Sequence, residues 1–304
     1  MNISAKVIAY SISPEGLPLL TYELLYPRFI HSEFMTHRMV SKNSASSRAI
    51  PTHKLIEQVR HMPMMPIHWG LNQKGMQAEQ EIDPADIAAA QNMWLCAARN
   101  AADMAEAMMD LGLHKQVVNR VLEPFVPMRV IATATEWNNF FHLRDHADAQ
   151  PEIRALAQAM LAAKNEAHPQ LLHPGQWHLP YITPKDTVQI HLLLKHGRIT
   201  RDEPRASEVL ELSIKVSVAR CARVSYNNFE GRRSTVEEDI ALYDKLVGSS
   251  PLHASPTEHQ ATPDEYMLHD GIGFSAGWQQ EHLHGNLHGW VQYRKTLAGE
   301  FVPG

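Results

Sequence analysis

The stretch VIAYSISPEGLPLLTYELLY, residues 7–26, decides how the fold begins. Two apolar runs, Val7 to Ile12 and Leu17 to Tyr26, flank Pro14, Glu15 and Gly16, which is turn chemistry, so a β-hairpin is expected. After it, Phe29, Ile30, Phe34 and Met35 take helical spacing. That helix should feed a donor-rich loop, Ser41-Lys42-Asn43-Ser44-Ala45-Ser46-Ser47-Arg48, which stops at Pro51.

Further along, Asp83 before Pro84 is an N-cap and first helical residue for a long Ala- and Met-rich helix to about Leu111. Its apolar positions recur all round, which predicts a central core helix. A short helix near His114 to Leu122, an extended segment from Arg129 to Thr135, a helix containing Glu136 to Arg144 and another from Pro151 to about Lys164 follow. Residues 168 to 202 read as a connector. Ser207 to Tyr226 looks helical, Ser234-Thr235-Val236-Glu237 reads as a capping box for a helix ending at Gly248, and the glycine-bearing tail reads as loops. Helices interleaved with strands make the class α+β.

The 304 residues carry 28 Lys and Arg against 33 Asp and Glu, a net charge of −5, which argues against a general binder of nucleic-acid polymers. No run reaches the roughly eighteen apolar residues of a membrane span, so no membrane partner is expected. Two cysteines and no secretory pattern suggest a cytoplasmic protein. Cys96 and Cys221 both sit among apolar residues and read as core residues rather than nucleophiles. The 19 histidines lack zinc spacing, so no metal is expected, and Gly271-Ile272-Gly273 is too short for a dinucleotide fingerprint.

Three segments concentrate groups that suit a small anionic or planar ligand. His37, Arg38, Ser41, Asn43, Ser46 and Arg48 bring cationic forks, hydroxyls and an amide into one run, fit either for phosphate oxygens or for a solvated, self-capping loop. In Thr135 to Arg144, Asn139 and Leu143 share a helix face; the segment can frame a flat ring or simply half-bury Phe140 and Leu143. Ser255-Pro256-Thr257-Glu258-His259 is a turn ending in a histidine, and Arg120 lies on the short helix.

Together these segments resemble the flavin-dependent thymidylate synthases. The family's Arg-His-Arg triplet with spaced Ser, Asn, Ser and Arg is matched by Thr36-His37-Arg38 leading to Ser41, Asn43, Ser46 and Arg48. Its Asn-Phe-Leu-x-Leu-Arg helix is similar to Asn139 to Arg144, followed by Ala149 to Arg154, and its arginine before a Leu-Pro turn is similar to Arg120. Ala222 to Tyr226 and Ser255 to His259 resemble two signatures that in the family precede the triplet. Here they follow it, so the resemblance implies a circular permutation, with His259 near the start of the Pro18 to Tyr26 strand.

What the resemblance implies is an α+β fold with central helices and an antiparallel sheet. A core over residues 1–167, a connector over 168–206 and a permuted segment with an extra tail over 207–304 would complete one domain. It implies transfer of a one-carbon unit from methylenetetrahydrofolate to C5 of a pyrimidine deoxynucleotide, dUMP to dTMP, with FAD and NADPH, in a homotetramer. Arg144 would be catalytic. Glu33, Ser44, Ser46, Ser47, Arg48, Arg120 and Arg144 would bind the nucleotide; His37, Arg38, Asn43, Asn139, Leu143, Ser225 and His259 would hold cofactor. Thr36, Glu33, Ser44, Thr133, Thr135 and Asp148 depart from the family pattern. A dUMP or dCMP hydroxymethylase and a catalytically silent flavin- or nucleotide-binding homologue remain open alternatives.

Overall fold

The computed structural model describes residues 3–197, 203–224, 233–268 and 276–301. The expected hairpin is β1 (Ser4–Ile12) and β2 (Pro18–Pro27), paired antiparallel from Ser4 opposite Leu25 to Ile12 opposite Pro18. Gly16 closes its turn at φ +78°, a conformation that costs a residue with a side chain. After a 3₁₀ turn and the short α1 (His31–Met35) comes β3 (Ser41–Ser44). Half of the expected loop is thus a strand, because β4 (Pro127–Ala134) has an open edge whose amides and carbonyls need partners. Between β3 and β4 lie α2 (Thr52–His61), α3 (Pro84–Asp110) and α4 (Lys115–Leu122).

Next come α5 (Asn138–Arg144), α6 (Pro151–Glu166) and β5 (Gln170–Leu171). The expected connector holds a helix, α7 (Pro184–His196), started by a reciprocal Thr183–Asp186 capping box. It is followed by α8 (Ala206–Ala222) and α9 (Val236–Val247). The box on α9 is formed by Thr235 with Glu238, one residue later than Ser234 with Glu237. The tail supplies β6 (Ala261–Pro263), β7 (Tyr266–Met267), β8 (Gly277–Trp278) and β9 (Trp290–Gln292), which form two small ladders.

The main sheet has the order β3-β4-β2-β1-β5, antiparallel throughout except for the two-residue pairing of β5 with β1. Strand alternation sends Leu20, Tyr22, Leu24 and Tyr26 of β2 and Val130, Ala132 and Ala134 of β4 to one face, packed under α1, α5 and α6 with Phe34, Phe140, Ile153 and Leu156. The other face carries Leu19, Thr21, Ile131 and Thr133. It is covered by later chain: Leu172, Ala261, Leu287 and Trp290 on Leu19, and Cys221 and Val224 on Ile131.

Two core expectations fail. The long helix α3 buries only Ala98, Ala102 and Ala105 against α2 and α4, leaving Met93 and Met104 exposed. It is a flanking helix: its fully buried contact is made by alanines, Trp94 and Met108 pack in only partly, and Met93 and Met104 face out. Cys96, on the same helix, is exposed, whereas Cys221 is buried and burial pushes its thiol up. Among the described residues no helix is long and apolar enough to cross a membrane.

Candidate active site

On β3 the alternation turns Ser41 and Asn43 inward and Lys42 and Ser44 to the other side. Asn43 Nδ2 donates to the Cys221 carbonyl at 2.6 Å, and Ser255 Oγ donates to Asn43 Oδ1 at 3.4 Å. The strand is thereby tied to the end of α8 and to the turn Ser255–Glu258. Asn43, Ser46, Arg48, Gln116, His253 and Ser255 line one cavity of about 290 Å³. Arg48 is exposed at its wall, so a guanidinium, a hydroxyl and amides face space sized for a small anionic ligand.

Ser47 turns away from that cavity. Its hydroxyl donates to Glu123 Oε1 at 2.7 Å and its carbonyl accepts from Asn119. Arg120 reaches the same Glu123 oxygen at 2.8 Å, as does Arg28 at 3.0 Å. Arg120 lies one turn beyond Gln116 on α4 but does not line the cavity; its guanidinium is turned to Glu123.

A second group forms where α1 meets α5. Arg144 donates from Nη1 to Glu33 Oε1 and from Nε to His37 Nε2 at 2.9 Å. His37 is therefore an acceptor at Nε2 and neutral; burial, then Arg144 and Lys42, hold it down to about 4. Its ring meets the Phe140 edge at 4.8 Å. Glu33, His37 and Arg144 are brought together. Leu143, on the same helix, is exposed rather than in the core.

The remaining residues lie apart. Asn139 lines a cavity of about 350 Å³ with Thr135, Lys164 and His288. Arg38 lines another of about 300 Å³ with Asn286, Gln292 and Arg294 of the tail. There Asn286 Nδ2 donates to the Met39 carbonyl at 3.0 Å, so the tail grips the backbone next to His37 and Arg38. Ser225 lies outside the described residues.

His259 differs from its expected role at a ligand surface, because it is fully buried. Its Nδ1 meets Thr133 Oγ1 at 2.8 Å; Thr133 meets Thr21 Oγ1 at 2.7 Å; Thr21 meets His178 Nε2 at 2.8 Å; and His178 Nδ1 meets Ser11 Oγ at 2.8 Å. This chain crosses three strands of the sheet; His259 itself meets β4, at Thr133, and is linked to β2 only through that hydroxyl. Both histidines are pushed down to about 3, by burial first and, for His178, also by His259. His259 Nε2 has no partner among the described residues. Gln116, His253, Thr21 and His178 were missed. Only Gln116 had a local signal, its four-residue spacing from Arg120 on one helix face.

A mixed sheet flanked by helices makes an α+β protein, with the cation-bearing cavity between β3 and the Ser255 turn as its candidate site. The family described as thymidylate synthase complementing protein matches residues 13–170, just over half of the chain, and the chain belongs to that family. Among solved structures it is similar to a UMP/dUMP methylase PolB from Streptomyces cacaoi bound with 5-Br UMP, at 16% identity and TM-score 0.42, covering 54% of this chain and 89% of that one. The same enzyme bound with 5-Br dUMP gives 15% identity and TM-score 0.44, covering 54% and 90%. No curated protein matches the chain.

Proposed function

We propose that the chain transfers a one-carbon unit from methylenetetrahydrofolate to C5 of a pyrimidine deoxynucleotide, with dUMP to dTMP as the reaction. Family membership supports an activity on nucleotides. The observation that carries the reading is that Asn43 and Ser255, 212 residues apart in sequence, wall one cavity together with Ser46 and Arg48. Ser46, Arg48 and Arg120 would hold the nucleotide phosphate. Arg144, fixed in orientation by Glu33 and His37, would donate to the pyrimidine edge where negative charge develops as C5 attacks. That charge needs a preorganised donor, since C5 is a weak nucleophile.

FAD, fed by NADPH, would supply the reducing equivalents. Within one subunit the residues expected around it do not fit one cleft: Asn43, Arg38 and Asn139 line three different cavities and His259 is closed off. A single chain therefore offers flavin no one cleft. A tetramer with sites shared between subunits would join these surfaces, and the exposed Met93, Met104 and Leu111 offer apolar area for it. Ala222 to Tyr226 and Ser255 to His259 follow the matched segment, and the second of them packs back on β3 and β4. This supports a permuted order in which 1–167, 168–206 and 207–304 complete one domain. An exposed Cys96 thiol suits a reducing cytoplasm.

The test is incubation of the purified protein with FAD, NADPH, methylenetetrahydrofolate and either dUMP or dCMP, followed by mass spectrometry of the nucleotide. A methylated dUMP supports the proposal. A hydroxymethylated product would move the chain to the hydroxymethylases, and flavin binding without turnover to the silent homologues.

A further inference from the structure

A second cavity, about 700 Å³, shares none of its described lining residues with the cavity assigned to the nucleotide. It opens between the sheet and the start of α7 and the end of α8. Five cationic side chains line it: Lys6, Arg129, Arg220, Arg223 and Arg233. The carboxylates paired with them are Glu23 on Arg129, Asp186 on Arg220 and Arg233, and Asp239 on Arg220 and Arg223. Among the described residues, five positive groups against three negative ones leave an excess of two, in a chain whose net charge is −5. Like charges gathered in one recess repel one another, so a bound anion would relieve that repulsion.

Tyr181 stands at the wall of this cavity with φ +66°, the one non-glycine residue among those described with a positive φ. A bulky side chain in that region costs on the order of 1–3 kcal/mol. The conformation is held from two sides. Arg220 Nη1 donates to the Tyr181 carbonyl at 2.8 Å, and the Tyr181 hydroxyl donates to Glu23 Oε2 at 2.5 Å. Glu23 in turn holds Arg129 at 2.7 Å through its other oxygen. The strained residue thus presets the position of two of the arginines, and Val7, Ile8 and Ile182 add apolar wall beside them.

We infer that this cavity is a second binding site, for a phosphomonoester dianion carried on a compact apolar or aromatic body, independent of the reaction proposed above. The excess of two positive charges matches the dianion. The apolar wall and the room beyond a bare phosphate match the organic body. Lys6 and Arg233 are both exposed, so they can be altered without opening the buried Arg220–Asp239 pair.

The probes are phenyl phosphate and inorganic phosphate, titrated into the full-length protein by calorimetry. The wild type should bind phenyl phosphate more tightly than inorganic phosphate. The double variant Lys6→Gln/Arg233→Gln should lose about tenfold or more in affinity for it. Arg99→Gln, an exposed cation on α3 that lines neither cavity, should leave this affinity unchanged. Equal affinity for the two probes overturns the organic body. Unchanged binding by the double variant, an equal loss in Arg99→Gln, or no heat with the wild type overturns the site. Melting curves for each variant separate lost binding from lost folding.

Discussion

Acidification from about pH 7.5 to about pH 5 should destabilise the fold by about 2 kcal/mol for each of His178 and His259, about 4 kcal/mol together. Both are fully buried and neutral in the folded chain, with pKa values pushed down to about 3 from the ordinary 6.5. Below 6.5 the unfolded chain takes up protons on these imidazoles while the folded chain does not, so stability is present at neutral pH and lost as pH falls. At about pH 5 the folded protein still holds both rings neutral, and the loss per ring is about RT times the logarithm of thirtyfold. His31 and His37, each lowered to about 4 by burial first, act in the same direction. Urea unfolding followed by tryptophan fluorescence at the two pH values reads the difference. The double variant His178→Gln/His259→Gln should lose the share owed to these two rings, about 4 kcal/mol, and keep that of His31 and His37. A wild-type change smaller than about 1 kcal/mol would mean that the two rings are hydrated in the folded protein, and the buried chain from Ser11 to His259 would be refuted.

Thr133→Val removes the hydroxyl between Thr21 and His259, leaving His259 Nδ1 unpaired; unfolding free energy should fall by about 1–3 kcal/mol in urea titrations. Asp239→Asn leaves Arg220 and Arg223 short of a buried counter-charge and should cost about 3–5 kcal/mol, read as a lowered denaturation midpoint. Arg144→Ala should lower kcat by about 10²–10³ while nucleotide affinity, measured by calorimetry, changes little. An equal loss of affinity would make Arg144 a binding residue instead.

The hairpin, β4, α4, α5 and α6 were readable because each carries a local signal: Gly16 in a turn, Pro124 ending a helix, Pro151 starting one. Ser41 to Ser44 were not readable as a strand, since their pairing with β4 is decided by an edge far along the chain. The long helix α3 misled because apolar residues all round a helix can mark a core or a flank, and only three of its alanines are fully buried. In the candidate site, Glu33, His37 and Arg144 meet as residues of neighbouring helices. Arg38 and Asn139 are carried to other cavities by sheet and tail contacts that leave no mark on local spacing. Thr21 and Thr133, two hydroxyls inside otherwise apolar strands, were the visible trace of the buried chain, but naming their partners required the fold.

The back of the sheet gives the family-matched segment a dependence that its own length conceals. A fragment ending at residue 170 would keep every strand of the hairpin and β4, yet would strip Leu172, Cys221, Val224, Ala261 and Trp290 from Leu19 and Ile131. It would present bare aliphatic side chains to water and leave Thr21 and Thr133 without their histidine partners. Recombination, proteolysis or engineering that separates the two halves would therefore leave a sticky, aggregation-prone remnant rather than a working module.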